Sequence, residues 1–196
     1  ASPGAISRVG QLWQTQGFYR FVLDGTTLTV AAGDDGDVAA YSIATPTAPV
    51  ATVVMEAPGV AEKVSLVGAY AYVLVSGDHS GPANGVYIYD LTDPLAPVLV
   101  SSDDGIMRIA DFAVAGGYLT LCHSGGLSVR GATDLWDIVG NYTMSNGYCT
   151  AVAAAGTTAY MLGAPDDLVP VDIGNPAAPV PADAVALEGS PQAALV

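Results

Sequence analysis

Residues 85–100 read GVYIYDLTDPLAPVLV, and this stretch decides the fold. A run of β-formers, Val86 to Tyr89, leads into a polar corner that contains Pro94 and Pro97, and a second apolar run, Val98 to Val100, follows. β-branched and aromatic residues favour strands, and proline beside Asp favours a tight turn. The stretch therefore predicts two strands joined by a rigid corner.

The same plan recurs on both sides of this stretch. Residues 37–54 read DVAAYSIATPTAPVATVV and residues 167–185 read DLVPVDIGNPAAPVPADAV, and both keep Pro, two residues, Pro and then Val. A second landmark, a glycine after a short apolar run, is spaced at intervals of 43, 48 and 40 positions: Gly25, Gly68, Gly116 and Gly156. A period in the low forties with four short strands per unit is typical of the blades of a β-propeller.

The phasing predicts an all-β chain of four-stranded antiparallel blades. Blade three deviates, because residues 130–140 read RGATDLWDIVG and place Trp136 where the other corners have prolines. A closed propeller needs about 4 to 8 blades, and both ends of the chain fall inside a blade, so we expect part of a larger ring. The predicted units are a partial blade (2–16), four blades (17–59, 60–107, 108–148 and 149–189) and the start of another (190–196).

The composition limits the classes of partner. The chain carries 19 acidic residues against 5 Lys and Arg, a net charge of −14, and 51% of its residues are hydrophobic. Such a surface repels phosphate backbones and anionic lipids, which argues against nucleic acid as a partner. No apolar run approaches the roughly 20 residues of a membrane helix, so direct membrane insertion is not expected. A basic protein or cations would suit the charge better.

The repeat resembles the bacterial LVIVD repeat. The best match is residues 69–100, where YIYD (87–90) stands at the position of the residues that give the family its name, and residues 172–180 match nearly as well. Ser42 and Gly131 depart from the pattern, because the family has aspartate there. The resemblance implies an extracellular or surface-anchored β-propeller with a scaffold or binding role, and it supplies no catalytic residues.

Acidic loops between second and third strands are expected to share one rim of the propeller. Residues 33–37 read GDDGD, so Asp34, Asp35 and Asp37 offer closely spaced carboxylates that could bind calcium. The downstream Glu of the EF-hand pattern is missing. The alternative interpretation is a solvated turn rich in Asp and Gly.

Two histidines are predicted in equivalent loops of adjacent blades. His79 and His123 would lie on the same rim as Asp103 and Asp104, which belong to the connection between blades two and three. This candidate rim site could hold a transition metal or act in acid–base chemistry. No HExxH or CxxC spacing accompanies the histidines, and the alternative is a pair of exposed loop residues.

The chain has two cysteines, Cys122 and Cys149. Cys122 is predicted to end the second strand of blade three, and Cys149 to open the first strand of blade four. Neighbouring inner strands could bring the pair within the roughly 6 Å Cα separation of a disulfide. Otherwise they would be two small buried hydrophobic residues.

Three aspartates are predicted at the corners between third and fourth strands. Asp90, Asp93 and Asp172 stand just before or within these corners, on the opposite rim from the acidic loops. Asp in such a place accepts backbone N–H bonds in an Asx turn. A structural role at the corner is therefore expected.

No catalytic signature is present, so the leading hypothesis is a non-catalytic exported β-propeller. It would act as a protein-interaction or structural module of a cell-surface or extracellular assembly. One alternative is a metal-dependent hydrolase or lyase that draws on Asp34, Asp37, His79 and His123. The other is a carbohydrate-binding adhesion module, which would expose two or more of Trp13, Trp136 and the tyrosines in a shallow groove.

Overall fold

The computed structural model describes residues 18–32, 37–76, 85–93, 96–103, 109–144, 147–163 and 167–187. This part of the chain consists of strands, turns and irregular segments and contains no helix. Accordingly, no helix in these ranges has the length and apolar character to cross a membrane. The strands form four antiparallel sheets, one for each complete repeat predicted from the sequence, and each sheet is called a blade below.

Blades one and two pair their strands in sequence order. The strands of blade one are β1 (Phe18–Asp24), β2 (Thr27–Ala32), β3 (Asp37–Ser42) and β4 (Val50–Glu56). Those of blade two are β5 (Val60–Val67), β6 (Tyr70–Ser76), β7 (Gly85–Asp90) and β8 (Val98–Asp103).

Blades three and four repeat the same meander. The strands of blade three are β9 (Ile109–Ala115), β10 (Tyr118–His123), β11 (Gly126–Gly131) and β12 (Ile138–Thr143). Those of blade four are β13 (Cys149–Ala155), β14 (Thr158–Gly163), β15 (Asp167–Asp172), β16 (Val180–Pro181) and β17 (Val185–Ala186).

The fourth strand of blade four is interrupted. Both β16 and β17 pair with β15, and residues 182–184 between them are not in a strand, although the N–H of Ala182 still donates to the carbonyl of Pro170 at 2.8 Å. Pro170 in β15 and Pro181 in β16 have no N–H group to donate, which weakens the ladder at this place. The repeated plan predicted one strand after this corner, and the structure divides it into two short strands.

Each landmark glycine begins the two-residue connection between the first and second strands of its blade. Gly25, Gly68, Gly116 and Gly156 have φ values of 55°, 61°, 61° and 58°. Other residues rarely adopt this left-handed backbone, and a tight hairpin needs it. The spacing of the glycines therefore reflects the repeated geometry of the hairpin.

The blades also share irregularities in strand pairing that the sequence did not predict. The register slips near the start of the first strand in every blade, for example between Ala61 and Lys63. A second slip falls in the fourth strand of blades one to three, as at Val100 in β8, which lies between the paired residues Leu99 and Ser101. These β-bulges bend the strands and redirect side chains.

Three hydrophobic clusters lie between the blades rather than within one sheet. The face of blade two toward blade three buries Tyr72, Leu74, Val86 and Ile88 against Leu119 and Leu121. Corresponding clusters join blades one and two and blades three and four. Strands with both faces buried explain why β6 and β7 are almost continuously apolar.

A buried charged group connects the first strands of three blades. Lys63 Nζ in β5 donates to Asp111 Oδ1 in β9 at 2.6 Å and lies 4.9 Å from the ring centroid of Phe112. The other oxygen of Asp111 accepts a hydrogen bond from the N–H of Val152 in β13 at 3.0 Å. Asp111 therefore holds the inner strands of blades two, three and four together.

Two of the predicted corner aspartates form the expected Asx turns. Asp90 Oδ1 accepts from the N–H of Thr92 at 2.7 Å, and Asp172 Oδ1 accepts from the N–H of Gly174 at 2.8 Å. The backbone carbonyl of Asp93 accepts from the N–H of Ala96 at 3.0 Å. These contacts span only two or three residues, so each corner is stabilised by its own local sequence.

Candidate functional site

Most of the predicted rim lies outside the described residues. This applies to Asp34, Asp35, His79 and Asp104, and although Asp37 is the first residue of β3, its side chain is not described. The calcium and acid–base hypotheses therefore remain predictions for these residues. In the described ranges, no three His, Cys, Asp or Glu side chains are grouped so that they could hold a metal ion.

His123 and Asp103 differ from the expectation of an exposed rim. Only 7% of His123 and 1% of Asp103 are exposed, although they stand at the ends of β10 and β8. His123 ends β10 instead of lying in a loop, and its Nδ1 accepts from the N–H of Gly125 at 3.0 Å. Burial, and secondarily the nearby charge of Arg130, lowers the pKa of His123, so its neutral form is favoured.

Arg130 is the functional-site residue that the sequence analysis did not single out. It lies in β11 and is 4% exposed, and its Nη1 is 3.6 Å from Asp103 Oδ2 in blade two. The same Nη1 donates to the backbone carbonyl of Leu135. The lone charged residue in the third strand, LSVRG, is the signal that could have revealed it.

The two cysteines are joined by a disulfide. Cys122 at the end of β10 and Cys149 at the start of β13 are bonded, with a Cα–Cα distance of 5.4 Å. Their strands belong to adjacent blades, as the sequence indicated. The bond therefore links blade three to blade four covalently.

An open groove lies between β8 and the corner of blade three, which comprises residues 131–137. Its volume is about 460 Å³. Three large side chains are exposed along it: 50% of Leu99, 46% of Val100 and 55% of Trp136. Its lining is completed by the polar residues Ser101, Ser102, Thr133 and Asp134.

The exposure of β8 has a local cause. Val100 is the extra residue of the β-bulge, so the alternation of side chains fails there and both Leu99 and Val100 are exposed. In addition, β8 is the edge strand of its sheet. A continuous apolar segment on an edge strand is a feature of sites that bind another chain.

The opposite wall of the groove is the deviant corner of blade three. Asp134 Oδ1 accepts from the N–H of Trp136 at 2.9 Å, which turns the chain so that Leu135 and Trp136 face opposite ways. Leu135 is fully buried in the cluster between blades two and three, whereas Trp136 remains exposed. The corner thus presents one aromatic ring to solvent.

A second groove, of about 600 Å³, lies between blades three and four. It contains Ser124, Thr150 and Tyr148, and Tyr148 is 55% exposed. The carbohydrate hypothesis required two aromatic rings in one groove. Among the described residues, Trp136 and Tyr148 are the exposed large aromatic side chains, and they line different grooves.

No protein-family model matches the chain, and no curated protein matches it. Solved structures do resemble it. A functionally unknown protein from Desulfotomaculum acetoxidans shares 12% identity at a TM-score of 0.77, with 96% of this chain and 63% of that chain covered. The computationally designed protein Ika4 shares 9% identity at a TM-score of 0.66, with coverage of 87% and 99%.

The β-propeller domain of Cps50 (Swd1) from Myceliophteria thermophila is also similar, with 11% identity, a TM-score of 0.60 and coverage of 82% of this chain and 57% of that chain. This chain therefore spans nearly all of the designed protein but only about 60% of the two natural ones. At such low identities the likeness concerns the fold alone. Together with the four antiparallel sheets, it confirms the predicted architecture: the described part of the chain is built from the blades of a β-propeller.

Proposed function

We propose that this protein is a protein-interaction module that binds a segment of another protein in the groove between β8 and the corner of blade three. The observation that carries the proposal is the exposure of Leu99, Val100 and Trp136 along one groove. Tryptophan is enriched among the residues that dominate binding energy at interfaces. β-propellers are a suitable scaffold, because their loops and edges vary without loss of the fold.

The charge of the chain indicates what the partner segment carries. The net charge is −14, and the groove wall includes the exposed Asp134, with Asp137 exposed beside it. Complementary charge favours specificity and fast association. The proposed partner segment is therefore extended, with an apolar anchor for Trp136 and Leu99 and flanking Lys or Arg residues.

We further propose that the protein acts outside the cytoplasm, as a subunit of a cell-surface or extracellular assembly of the LVIVD-repeat type. Two observations support this location. The disulfide between Cys122 and Cys149 suits an oxidising compartment, and the repeat carries the family-like YIYD segment in β7.

The binding proposal is tested by panning a library of random 12-residue peptides on the immobilised protein. Selected peptides are expected to combine Lys or Arg with an aliphatic or aromatic anchor. Replacing Trp136 by Ala should weaken their binding by about 30-fold, the equivalent of roughly 2 kcal/mol for an interface hot spot. Affinities are measured by fluorescence polarisation.

Tyr148→Ala is the matched control, because Tyr148 is equally exposed but lines the other groove. The Tyr148→Ala variant should bind the selected peptides with the same affinity as the unmodified protein. Peptides that bind the Trp136→Ala variant undiminished would overturn the proposal. Binding to a glycan array that depends on Trp136, without any selected peptide, would favour the carbohydrate alternative.

A further inference from the structure

The backbone of Leu135 in the groove wall is held by two hydrogen bonds, one to blade two and one from β11 of its own blade. The N–H of Leu135 donates to Ser101 Oγ in β8 at 3.2 Å, and the carbonyl of Leu135 accepts from Arg130 Nη1. Both hydrogen bonds involve the residue directly before Trp136. Together with the bond from the Trp136 N–H to Asp134 Oδ1, these two bonds hold the backbone from which the Trp136 ring projects.

Arg130 is itself held by its surroundings. Its guanidinium lies 3.6 Å from Asp103 Oδ2, and its Nε lies 3.5 Å from Ser128 Oγ. Both Arg130 and Asp103 are more than nine-tenths buried, so the pair is shielded from competing water. Among the described residues Asp103 Oδ1 has no hydrogen-bond partner, which leaves Arg130 as the group that balances this carboxylate.

The position of Arg130 is specific to blade three. The register places Tyr89 of blade two and Val171 of blade four at the equivalent site in the third strand. Neither of those residues offers several fixed donors, whereas a guanidinium can serve a carboxylate and a carbonyl together. The arginine therefore occurs in the same blade, blade three, whose corner lacks the prolines of the other corners.

We propose that Arg130, held by Asp103, is a positioning residue that preforms the peptide groove by fixing Leu135 and, through it, Trp136. The inference rests on the proposed function of the groove. A preformed wall lowers the entropy that a partner must lose when it binds. The buried ion pair thus acts on the binding site without touching the partner.

The test uses Trp136 as its own reporter. Trp13→Phe leaves Trp136 as the sole tryptophan of the chain. In this background the double variant Arg130→Gln/Asp103→Asn removes both charges, so that no uncompensated buried charge remains. We expect a smaller amplitude of the slow component of the tryptophan anisotropy decay and a roughly twofold larger acrylamide quenching constant, because the wall gains nanosecond mobility.

The matched control is Lys63→Gln/Asp111→Asn. It removes another ion pair between blades two and three, at 2.6 Å, but one that lies on the first strands, β5 and β9. This variant should lower the melting temperature yet leave the anisotropy and quenching of Trp136 unchanged. An equal change of Trp136 in both double variants would overturn the proposal.

Ser101→Ala provides a second variant in case the Arg130 double variant does not fold. It removes the acceptor for the Leu135 N–H without any change in charge, and it should raise the mobility of Trp136 in the same direction. An unchanged anisotropy decay in every folded variant would overturn the inference. Since the reporter needs no partner, this result is independent of whether peptides bind the groove.

Discussion

The corner of blade three and the proline corner of blade four occupy the same place in their repeats but are stabilised differently. In blade four, Asp172 accepts from Gly174 two residues away, and the carbonyl of Asn175 accepts from Ala178. In blade three, Leu135 is held by Arg130 and by Ser101, which is 34 positions away. Both corners have local turn hydrogen bonds, such as that from the Trp136 N–H to Asp134 Oδ1 in blade three, but the corner of blade three is additionally bonded to Ser101 of the neighbouring blade.

Both corners nevertheless pack against the fourth strand of the preceding blade. The corner of blade three contacts Ser101 in β8, and that of blade four packs on Gly140 in β12, where the carbonyl of Pro176 leaves no room for a Cβ. The difference shows that a corner with prolines and a corner without them can both pack on the fourth strand of the preceding blade. Loss of the prolines frees the corner to bury one side chain, Leu135, and to expose another, Trp136.

Among the substitutions that test this difference between the corners, Arg130→Gln is expected to have the largest effect on stability. The substitution leaves Asp103 buried without its charge partner, which should lower the free energy of unfolding by about 3–5 kcal/mol. Urea denaturation followed by circular dichroism measures the change. The Asp103→Asn/Arg130→Gln double variant should lose less than the single variant, and a single variant within about 1 kcal/mol of the unmodified protein would contradict the role of the pair.

Leu135→Ala is expected to cause the second-largest loss of stability. Leu135 is fully buried in the cluster between blades two and three, so its truncation should cost about 2–5 kcal/mol through lost burial and a cavity. Trp136→Ala, one residue later and exposed, should change stability by less than about 0.5 kcal/mol. Equal losses for the two variants in urea denaturation would show that Leu135 does not anchor the corner.

A fall in pH should lower the stability through His123 and through the corner of blade two in different pH ranges, and both effects should be smaller than those of the substitutions above. The lowered pKa of His123 means that the unfolded chain, with a pKa near 6.5, takes up a proton more readily than the folded one. Stability should therefore decline as the pH falls below about 6.5, until the folded pKa is passed. His123→Gln should abolish this decline in a series of melting temperatures, and a decline that persists in the variant would assign it to another group.

The corner of blade two should respond only at lower pH. Hydrogen bonds from the hydroxyl and the N–H of Thr92 lower the pKa of Asp90 from its usual value of 3.8. Its contribution is present above that value and is lost as the pH falls through the lowered pKa. Asp90→Asn should therefore lower the melting temperature by the same amount throughout pH 5 to 7, the range in which His123 acts, and leave its slope with pH unchanged.

The smallest effect is expected from Asp172→Ala in the corner of blade four. It removes one exposed hydrogen bond, from the N–H of Gly174, and should cost about 0.5–1 kcal/mol. Asp172→Asn keeps an acceptor and should cost nothing measurable. A loss as large as that of Leu135→Ala would mean that the proline corners are not locally stabilised.

The sequence predicted the repeats and the Asx turns well, because the contacts that specify them are short in sequence. Gly68 adopts positive φ within its own hairpin, and Asp90 bonds to Thr92. The candidate site was less predictable. His123 and Asp103 looked like exposed rim residues, and the structure buries both, since their exposure depends on how blade two packs on blade three.

By itself, the sequence determined that this chain forms four-stranded antiparallel units with tight glycine hairpins and proline corners, and it brought Cys122 and Cys149 to adjacent blades. Each of these features follows from local backbone preferences repeated at a regular interval. Only the tertiary structure decided that Arg130 would be buried against Asp103, that the bulge at Val100 would expose β8, and that Trp136 would face the resulting groove. The physical reason is that burial and groove shape arise from packing between blades, which residues distant in sequence create together.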